Sequence, residues 1–511
     1  MAGSYFDVVV LGAGLPPLCC GALLAKRGFR VLVLGQDHLR ASYRVGEYSL
    51  SLAPFAFLPT QSPVARRVMA ELALGQTFRR LAATMDPTLQ VAERDHRIDL
   101  ALDDAELDRE VEREFPEVKR AVEDFHRRVD RANHSFDALV ERDLVWPPET
   151  FLERREFARA AAHQPFDRDG EGLDLLGEFP DEHPFRTVVH APARFADGMD
   201  PDQTTALRIA RHYGAWRRGA AVLEGGYDAL EQMLTDRIVT HSGEVRYDDR
   251  ADRILMKRNQ ARGVRITASG EEIGCGFVVA GVGLSAMLRL LPDRRPYEEV
   301  FERLGEPQLR HFRYTLNVVM AAEGVPMGMA RDVFFLRDAR RPPAAENLLH
   351  VQVAPADAEG RRTLSVEALV PRRGVEDVAG YVETLRERVL GSLGELVPFL
   401  GKHVLLVDSP HDGRDPQDML TGEPVQPEET FRRGRHTMTP IYGYPVATAL
   451  GSCALPVRTP FKRLLLVNHQ VAPGLGTEGD LLAAWSGARI VTKSDRKKEH
   501  MRRGLWTKAE I

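Results

Sequence analysis

The residues with the clearest chemical meaning lie near the N-terminus, where Gly12 and Gly14 follow an apolar run from Asp7 to Leu11. Glycines at this spacing, between a buried strand and a helix, allow a tight turn whose backbone approaches a phosphate closely. A helix predicted from Leu18 to Lys26 and a second buried strand from Val31 to Leu34 complete a unit of about 30 residues, one βαβ half. The pattern predicts a dinucleotide-binding unit.

The same unit lacks several of the groups that bind such a ligand. The position of the third glycine holds Pro17, preceded by Pro16, and neither has a backbone N–H to donate to a phosphate. Proline is tolerated in the first turn of a helix, so the fold is expected to persist. The second strand ends in Gly35 and Gln36, where an acidic residue would bind the ribose hydroxyls. The fold is therefore indicated more strongly than the ligand.

Composition and length limit the class of protein. A chain of 511 residues exceeds what one hydrophobic core usually supports, so two domains, or interleaved ones, are expected. The 43% hydrophobic and 28% charged fractions are typical of a globular protein, and the net charge of −5 argues against nucleic acid as a partner. The four cysteines and sixteen histidines show no metal-ligand spacing, so we predict no metal site.

Further along the chain, the pattern alternates between regular and irregular stretches. Residues 146–202 are polar, rich in proline and without clear period, which predicts a loop-rich insertion. A double glycine then opens a helix from Tyr227 to Thr240, and short strands follow it. Near the C-terminus, a buried strand from Arg463 to Val467 precedes a glycine-rich loop, Ala472 to Gly479, and a helix from Asp480 to Val491. That loop is either a second cofactor contact or a plain tight turn.

Several motifs resemble those of one family when they are taken in order. These are the N-terminal GAGxxP unit, the GGYDAL block with its continuation GEV, ADRIL and GVRI, the segment VVAGVG, and the terminal block APGLGTEGDLLAAWSGARI. In this order they resemble the phytoene desaturase and carotenoid isomerase branch of the FAD-dependent amine oxidase-like superfamily. The resemblance spans almost the whole chain.

The resemblance implies an α/β fold, with a Rossmann-like FAD-binding domain of the glutathione reductase type and an inserted α+β substrate domain. The implied cofactor domain comprises residues 1–90, 215–290 and 441–492, and the implied substrate or cap domain comprises residues 91–214 and 291–440. The implied cofactor contacts are Gly12, Gly14, Leu15, Gln36, Arg40, Ala251, His469, Gly476 and Thr477. No catalytic side chain is assigned.

The resemblance also implies an activity, the transfer of a hydride between a long apolar substrate, a polyene or a lipid-like molecule, and FAD. The departures from the family concern the cofactor. Besides Pro16, Pro17 and Gly35, the chain has His469 where the family typically has an aspartate. Changes at separated anchor points predict that FAD is bound differently, weakly or not at all. Arg40 and His469 are candidates for compensating contacts.

Two functions therefore remain open at this stage. The first is a flavin-dependent oxidoreductase of carotenoid biosynthesis type with unusual cofactor contacts. The alternative is a catalytically silent relative that binds a hydrophobic ligand or a partner protein.

The two ends of the chain bear on location. The start, MAGSYFD, has no basic region of the kind that opens a signal peptide, so a cytoplasmic location is expected. The basic tail, residues 493–511, contains Leu505 and Trp506 among seven lysines and arginines. Such a tail is either a solvated end or a peripheral contact with anionic lipid.

Overall fold

The computed structural model describes residues 5–196, 198–427 and 433–495. The basic tail, residues 493–511, lies almost entirely outside these residues, so the choice between a solvated end and a lipid contact stays open. No helix in the described ranges has both the length and the hydropathy needed to cross a bilayer.

Two large sheets organise the described residues. The strands are β1 Tyr5–Leu11, β2 Val31–Leu34, β3 Ser42–Val45, β4 Tyr48–Ser51, β5 Ala82–Thr84, β6 Leu89–Ala92, β7 Arg97–Leu100, β8 Ala221–Leu223, β9 Glu244–Arg246, β10 Ala251–Lys257, β11 Gln260–Ile266, β12 Glu272–Ala280, β13 Gln308–Ala321, β14 Asp332–Leu336, β15 Leu348–Val353, β16 Arg361–Pro371, β17 Val404–Asp408, β18 Gln417–Asp418, β19 Thr439–Gly443 and β20 Leu464–Leu466.

The helices cover the sheets and build the segments between them. They are α1 Leu15–Lys26, α2 Pro63–Glu71, α3 Gly75–Leu81, α4 Asp104–Glu114, α5 Lys119–Val140, α6 Phe151–Ala161, α7 Phe185–Ala196, α8 Ala206–Arg217, α9 Gly226–Thr240, α10 Leu284–Leu290, α11 Glu298–Leu304, α12 Arg372–Asp377, α13 Tyr381–Leu396, α14 Leu400–His403 and α15 Gly476–Lys493.

The first sheet has a parallel centre in the order β9, β2, β1, β12, β20, with the β10 and β11 hairpin joined to the start of β12. In register, Val8 of β1 lies between Val31 of β2 and Phe277 of β12. Val8 to Leu11 and the whole of β2 are fully buried, as expected of strands covered on both faces. Helices α9 and α15 both pack against α1. The sheet thus brings together segments that are far apart in the sequence.

The second sheet is mixed and runs β18, β17, β13, β16, β15, β14, β6, β7, with β19 paired to β13. One face is apolar and packs under α12 and α13, with Leu316, Val318, Val351 and Val366 among its buried residues. Alternation along each strand sends the intervening residues to the other face, which carries many polar side chains. On that polar face, the N–H of Phe55, after β4, donates to the side-chain oxygen of Gln352 of β15 at 3.0 Å.

The segment from 146 to 202 differs from the sequence expectation. It contains α6 and α7 rather than loops alone. Helix α6 begins with a capping box in which Thr150 and Glu153 satisfy each other's backbone N–H groups. The proline-rich composition of the segment concealed this local signal.

Candidate functional site

The turn after β1 keeps the geometry of a dinucleotide-binding loop. Gly12 has a φ of +105°, and an added Cβ would approach the backbone of Gly281 and Val282 to 3.3 Å. Its N–H donates to the carbonyl of Leu34, which ties the turn to β2. Gly12 is thus required by backbone conformation and close packing, whether or not a ligand is bound.

The start of α1 has no free N–H group in its first turn. Pro16 and Pro17 have none, and Leu18 donates to the carbonyl of Gly14 at 3.1 Å. The remaining donor, the N–H of Leu15, donates to the hydroxyl oxygen of Tyr227 at 3.1 Å. A phosphate bound at a helix start needs such N–H groups. In this structure the phenol of Tyr227 already accepts the N–H of Leu15.

The Tyr227 phenol beside this helix start is neutral. Burial raises the pKa of Tyr227 well above its usual range, and the carboxylates of Glu231 and Asp480 raise it further. The phenol therefore stays protonated, and its oxygen accepts the hydrogen bond from Leu15 as a neutral group.

At the end of β2, too, the protein's own groups fill the space and make the hydrogen bonds. A Cβ on Gly35 would lie 1.9 Å from the carbonyl oxygen of Tyr247, so no larger residue fits there in this conformation. Gln36 turns its side chain back onto β10, where its Nε2 donates to the carbonyl of Ala251 at 3.2 Å. The N–H of Ala251 in turn donates to Oε1 of Gln36. The two predicted cofactor contacts, Gln36 and Ala251, therefore bind each other.

The two residues considered as compensating contacts lie in different environments. Arg40 is exposed, and among the described residues its side chain makes no hydrogen bond or ion pair. His469 is half-buried, and its Nε2 is buried without a hydrogen-bond partner in the described part of the chain. Burial and the charge of Arg313 lower the pKa of His469 to about 4, so its imidazole is neutral at pH 7. Neither residue supplies a cation held against the start of α1.

The C-terminal glycines belong to a helix rather than to a loop. Gly476 and Thr477 form the first residues of α15, and a Cβ on Gly476 would come within 2.4 Å of the carbonyl of Ala196. Thr477 lines a cavity of about 20 Å³, which is the volume of roughly one water molecule. Ligand pockets usually measure about 300 to 1,000 Å³. This cavity is too small for a cofactor ring.

Buried ion pairs hold the start of α15 in place. Arg211 of α8 donates from Nε to one carboxylate oxygen of Glu478 at 3.0 Å and from Nη2 to the other at 2.6 Å. Its Nη1 donates to Asp137 at 2.7 Å, and Ser62 donates to Glu478 at 2.5 Å. The first turn of α15, where the second cofactor contact was expected, thus carries a carboxylate that is paired with an arginine of α8.

A half-buried carboxyl group nearby gives a test of this environment. Asp480 makes no hydrogen bond or ion pair among the described residues, and burial raises its pKa from 3.8 to about 7. Between pH 4 and 7 the folded state therefore holds a proton that the unfolded state has released, so stability falls as the pH rises. We expect Asp480→Asn to be more stable than the native protein at pH 8 and similar to it at pH 4. Urea unfolding at both pH values measures this difference, and an equal difference at both would contradict the assignment.

A larger cleft lies between the second sheet and the start of α9. Its volume is about 310 Å³. The β3 and β4 hairpin, the segment before α9, and strands β15 and β16 form its walls. The lining residues are Ala41, Ser42, Ser49, Ser51, Ala53, Phe55, Val222, Leu223, Gly225, Gly226, Tyr227, Asp228, Arg331, Gln352, Ala354, Thr363 and Ser365. We refer to this space as the interdomain cleft.

Behind the interdomain cleft, the polar face of the second sheet forms a buried hydrogen-bond network. His350 lies 2.8 Å from Asp332 and stacks on Phe334, while Arg313 donates to Glu367 at 2.8 Å. Burial opposes the charged imidazole, but hydrogen bonds to Asp332 and Glu367 raise the pKa of His350. The network is internally paired and lies behind one wall of the cleft.

The sequence did not identify the residues that define the start of α1 and the interdomain cleft. Tyr227 was visible as the aromatic residue after the double glycine, but nothing in the sequence showed that its hydroxyl reaches Leu15. Arg331 and Gln352 carried no motif at all. Position in the folded sheet, rather than spacing, brings them together.

Comparisons with known proteins agree with the fold. A family model described as an NAD(P)-binding Rossmann-like domain matches residues 10–72. No curated protein sequence matches the chain. An oxidoreductase from Methanosarcina mazei is 18% identical, with a TM-score of 0.55 over 94% of this chain and 99% of the other. A protein from Pyrococcus furiosus is 15% identical, with a TM-score of 0.55 over 95% and 97% of the two chains.

A third solved structure extends this likeness. A putrescine oxidase mutant, made in a redesign of cofactor binding, is 14% identical, with a TM-score of 0.58 over 96% of this chain and 100% of the other. At these identities the likeness concerns the fold alone. The predicted α/β fold with a Rossmann-like domain is confirmed. The carotenoid desaturase branch and the individual cofactor contacts stay predictions.

Proposed function

We propose that this chain uses the flavin oxidoreductase fold as a binding protein and does not hold FAD in the dinucleotide position. The observation that carries the proposal is the hydrogen bond from the Leu15 N–H to the Tyr227 hydroxyl, beside two prolines that have no N–H. Each missing hydrogen bond to a charged group removes roughly 1.5 to 3 kcal/mol of binding free energy. Several missing together would weaken FAD binding by orders of magnitude.

The residues that would bind the adenosine part of FAD support the same proposal. FAD could reach the backbone of Ala251 only if Gln36 released both of its hydrogen bonds there. A glutamate at position 35 would place its Cβ against the carbonyl oxygen of Tyr247. The residues present therefore do not fit FAD in its standard position, and we derive no reaction step through a flavin.

The interdomain cleft is the place where we propose that binding occurs. Its volume of about 310 Å³ reaches the lower range of small-molecule sites. Hydroxyl, amide and guanidinium groups line much of it, with Phe55 and Tyr227 in edge contact at 5.1 Å. This lining suits a small polar ligand better than the hydrophobic ligand expected from the sequence.

A second candidate function is a flavin-dependent oxidoreductase that transfers a hydride between a long apolar substrate and FAD. The likeness in fold to the putrescine oxidase structure over nearly the whole of both chains favours it. This function requires Tyr227 to leave the start of α1, or a flavin held by other contacts.

Flavin content distinguishes the two functions. We expect the purified protein to be colourless, with no flavin fluorescence in the supernatant after heat denaturation, because the dinucleotide position is closed. We also expect added FAD to leave the melting temperature unchanged, since a ligand that binds the native state raises it. Stoichiometric flavin in the purified protein, or a melting temperature that rises with FAD concentration, would overturn the proposal and support the oxidoreductase.

A further inference from the structure

The interdomain cleft contains one arginine whose charge is not compensated. Arg331 is half-buried, its Nε is fully buried without a hydrogen-bond partner, and within the described ranges its guanidinium forms no ion pair. Burial lowers its pKa, and only the neighbouring charge of Asp332 opposes that effect. The Asp332 carboxylate is itself bonded to His350 and Gln352, at 2.8 and 3.0 Å. A partly desolvated guanidinium without a partner is unfavourable unless an anion reaches it.

Several other arginines have the carboxylate partners that Arg331 lacks. Arg361 lies in the adjoining cavity, on the far side of Ser49 and Thr363, and it pairs with the carboxylates of Glu47, Asp357 and Glu359. Buried arginines elsewhere are paired too, as Arg211 is with Glu478. Arg331 differs from these paired arginines, and it is the arginine that lines the interdomain cleft.

The rest of the lining can receive an oxygen-rich molecule. The hydroxyls of Ser49, Ser51 and Thr363 face the cleft and make no hydrogen bond to other described residues. Asp228, the carboxylate of the lining, accepts from the N–H of Ala41 at 2.8 Å and from the hydroxyl of Ser42. Its charge is therefore partly satisfied by the hairpin rather than left for a ligand.

The backbone at the start of α9 adds a favourable potential. Gly225 and Gly226 line the cleft at the N-terminal end of this 15-residue helix, which carries a partial positive charge. A Cβ on Gly226 would meet no atom within 4 Å, so the backbone there faces open space. The helix end and Arg331 border the same cavity.

We infer that the interdomain cleft binds a small oxyanion, a carboxylate or a phosphate, with its charged group on Arg331 and its remaining oxygens on the hydroxyls of Ser49, Ser51 and Thr363. A guanidinium binds both groups through two parallel N–H donors, so the chemistry is shared. This inference rests on the proposed function, because it names the ligand class of the same cleft.

The test uses the full-length protein and three probes: succinate, inorganic phosphate and the uncharged succinamide. Differential scanning fluorimetry should show a melting temperature that rises with succinate or phosphate and does not respond to succinamide. A stronger response to succinate would identify a carboxylate ligand, and a stronger response to phosphate a phosphorylated one. No response to either anion would overturn the inference.

Two variants assign the effect to the cleft. Arg331→Gln should weaken the response to the anions at least about tenfold, because the ligand loses its charged hydrogen bonds. Arg362→Gln is the matched control, since Arg362 is also half-buried with an unpaired Nε but does not line the cleft. Equal responses in the two variants would overturn the inference. Arg331→Lys, which keeps the charge, provides a folded comparison if Arg331→Gln unfolds.

The outcomes separate this inference from the proposed function. A colourless protein whose melting temperature does not respond to either anion would contradict the oxyanion site but would agree with the absence of FAD. A protein purified with flavin would sink the proposed function on its own evidence, before any anion is added.

Discussion

Replacing Arg211 with leucine should lower the free energy of unfolding by about 3 to 5 kcal/mol. The side chain is 4% exposed and holds three acceptors, the carboxylates of Glu478 and Asp137 and the side-chain oxygen of Asn133. Leucine fills part of the volume but leaves the Glu478 carboxylate buried without a cation, while Asp137 keeps its ion pair with Arg218. That uncompensated charge, rather than the loss of attraction alone, causes the expected loss.

Urea unfolding at pH 7 measures this effect. Arg127→Leu is the control, because Arg127 forms an ion pair with Asp124 on the surface of α5 and is 67% exposed. Exposed pairs of this kind contribute less than about 1 kcal/mol, so the control should unfold almost as the native protein does. A loss below 1 kcal/mol for Arg211→Leu would show that the Glu478 carboxylate finds another partner or protonates without strain.

Replacing Gly35 with alanine should destabilise the protein by about 3 kcal/mol or more. The new Cβ would lie 1.9 Å from the carbonyl oxygen of Tyr247, and the obstacle is backbone, which cannot rotate away as a side chain can. Relief requires that β2 and the segment after β9 separate. Gly35→Glu, which would restore the acidic residue typical of dinucleotide sites, should therefore destabilise the fold without creating FAD binding.

Gly14→Ala is the matched control for this second prediction. Gly14 has a φ of −75° in the extended region, and an added Cβ would meet no atom within 4 Å. Alanine fits such a position, and its stability should stay within about 1 kcal/mol of the native value. Comparable losses for Gly14→Ala and Gly35→Ala in urea unfolding would contradict the steric explanation.

The sequence predicted the frame of the first domain well because its signals are local. A run of apolar residues, two glycines and a helical period suffice to define β1, the turn and α1. The absence of donors at Pro16 and Pro17 could also be read directly from the residue types. These features depend on neighbours within a few positions.

The sequence could not predict which residues take the place of the missing cofactor contacts, because these residues lie far apart in the chain. Leu15 and Tyr227 are 212 positions apart, and Gln36 and Ala251 are 215 apart. Their pairing depends on how α9 and β10 dock against the first sheet. The unpaired state of Arg331 is likewise invisible in the sequence, since it is defined by carboxylates that lie elsewhere.

The pairing of Gln36 with Ala251 has a consequence for how the protein is maintained in a cell. A protein that completes its fold around a ligand has a stability that depends on the concentration of that ligand. Here the amide of Gln36 satisfies the edge of β10 from within the chain. The amount of folded protein should therefore stay constant when cells are starved of riboflavin, a condition that depletes proteins whose folding depends on bound FAD.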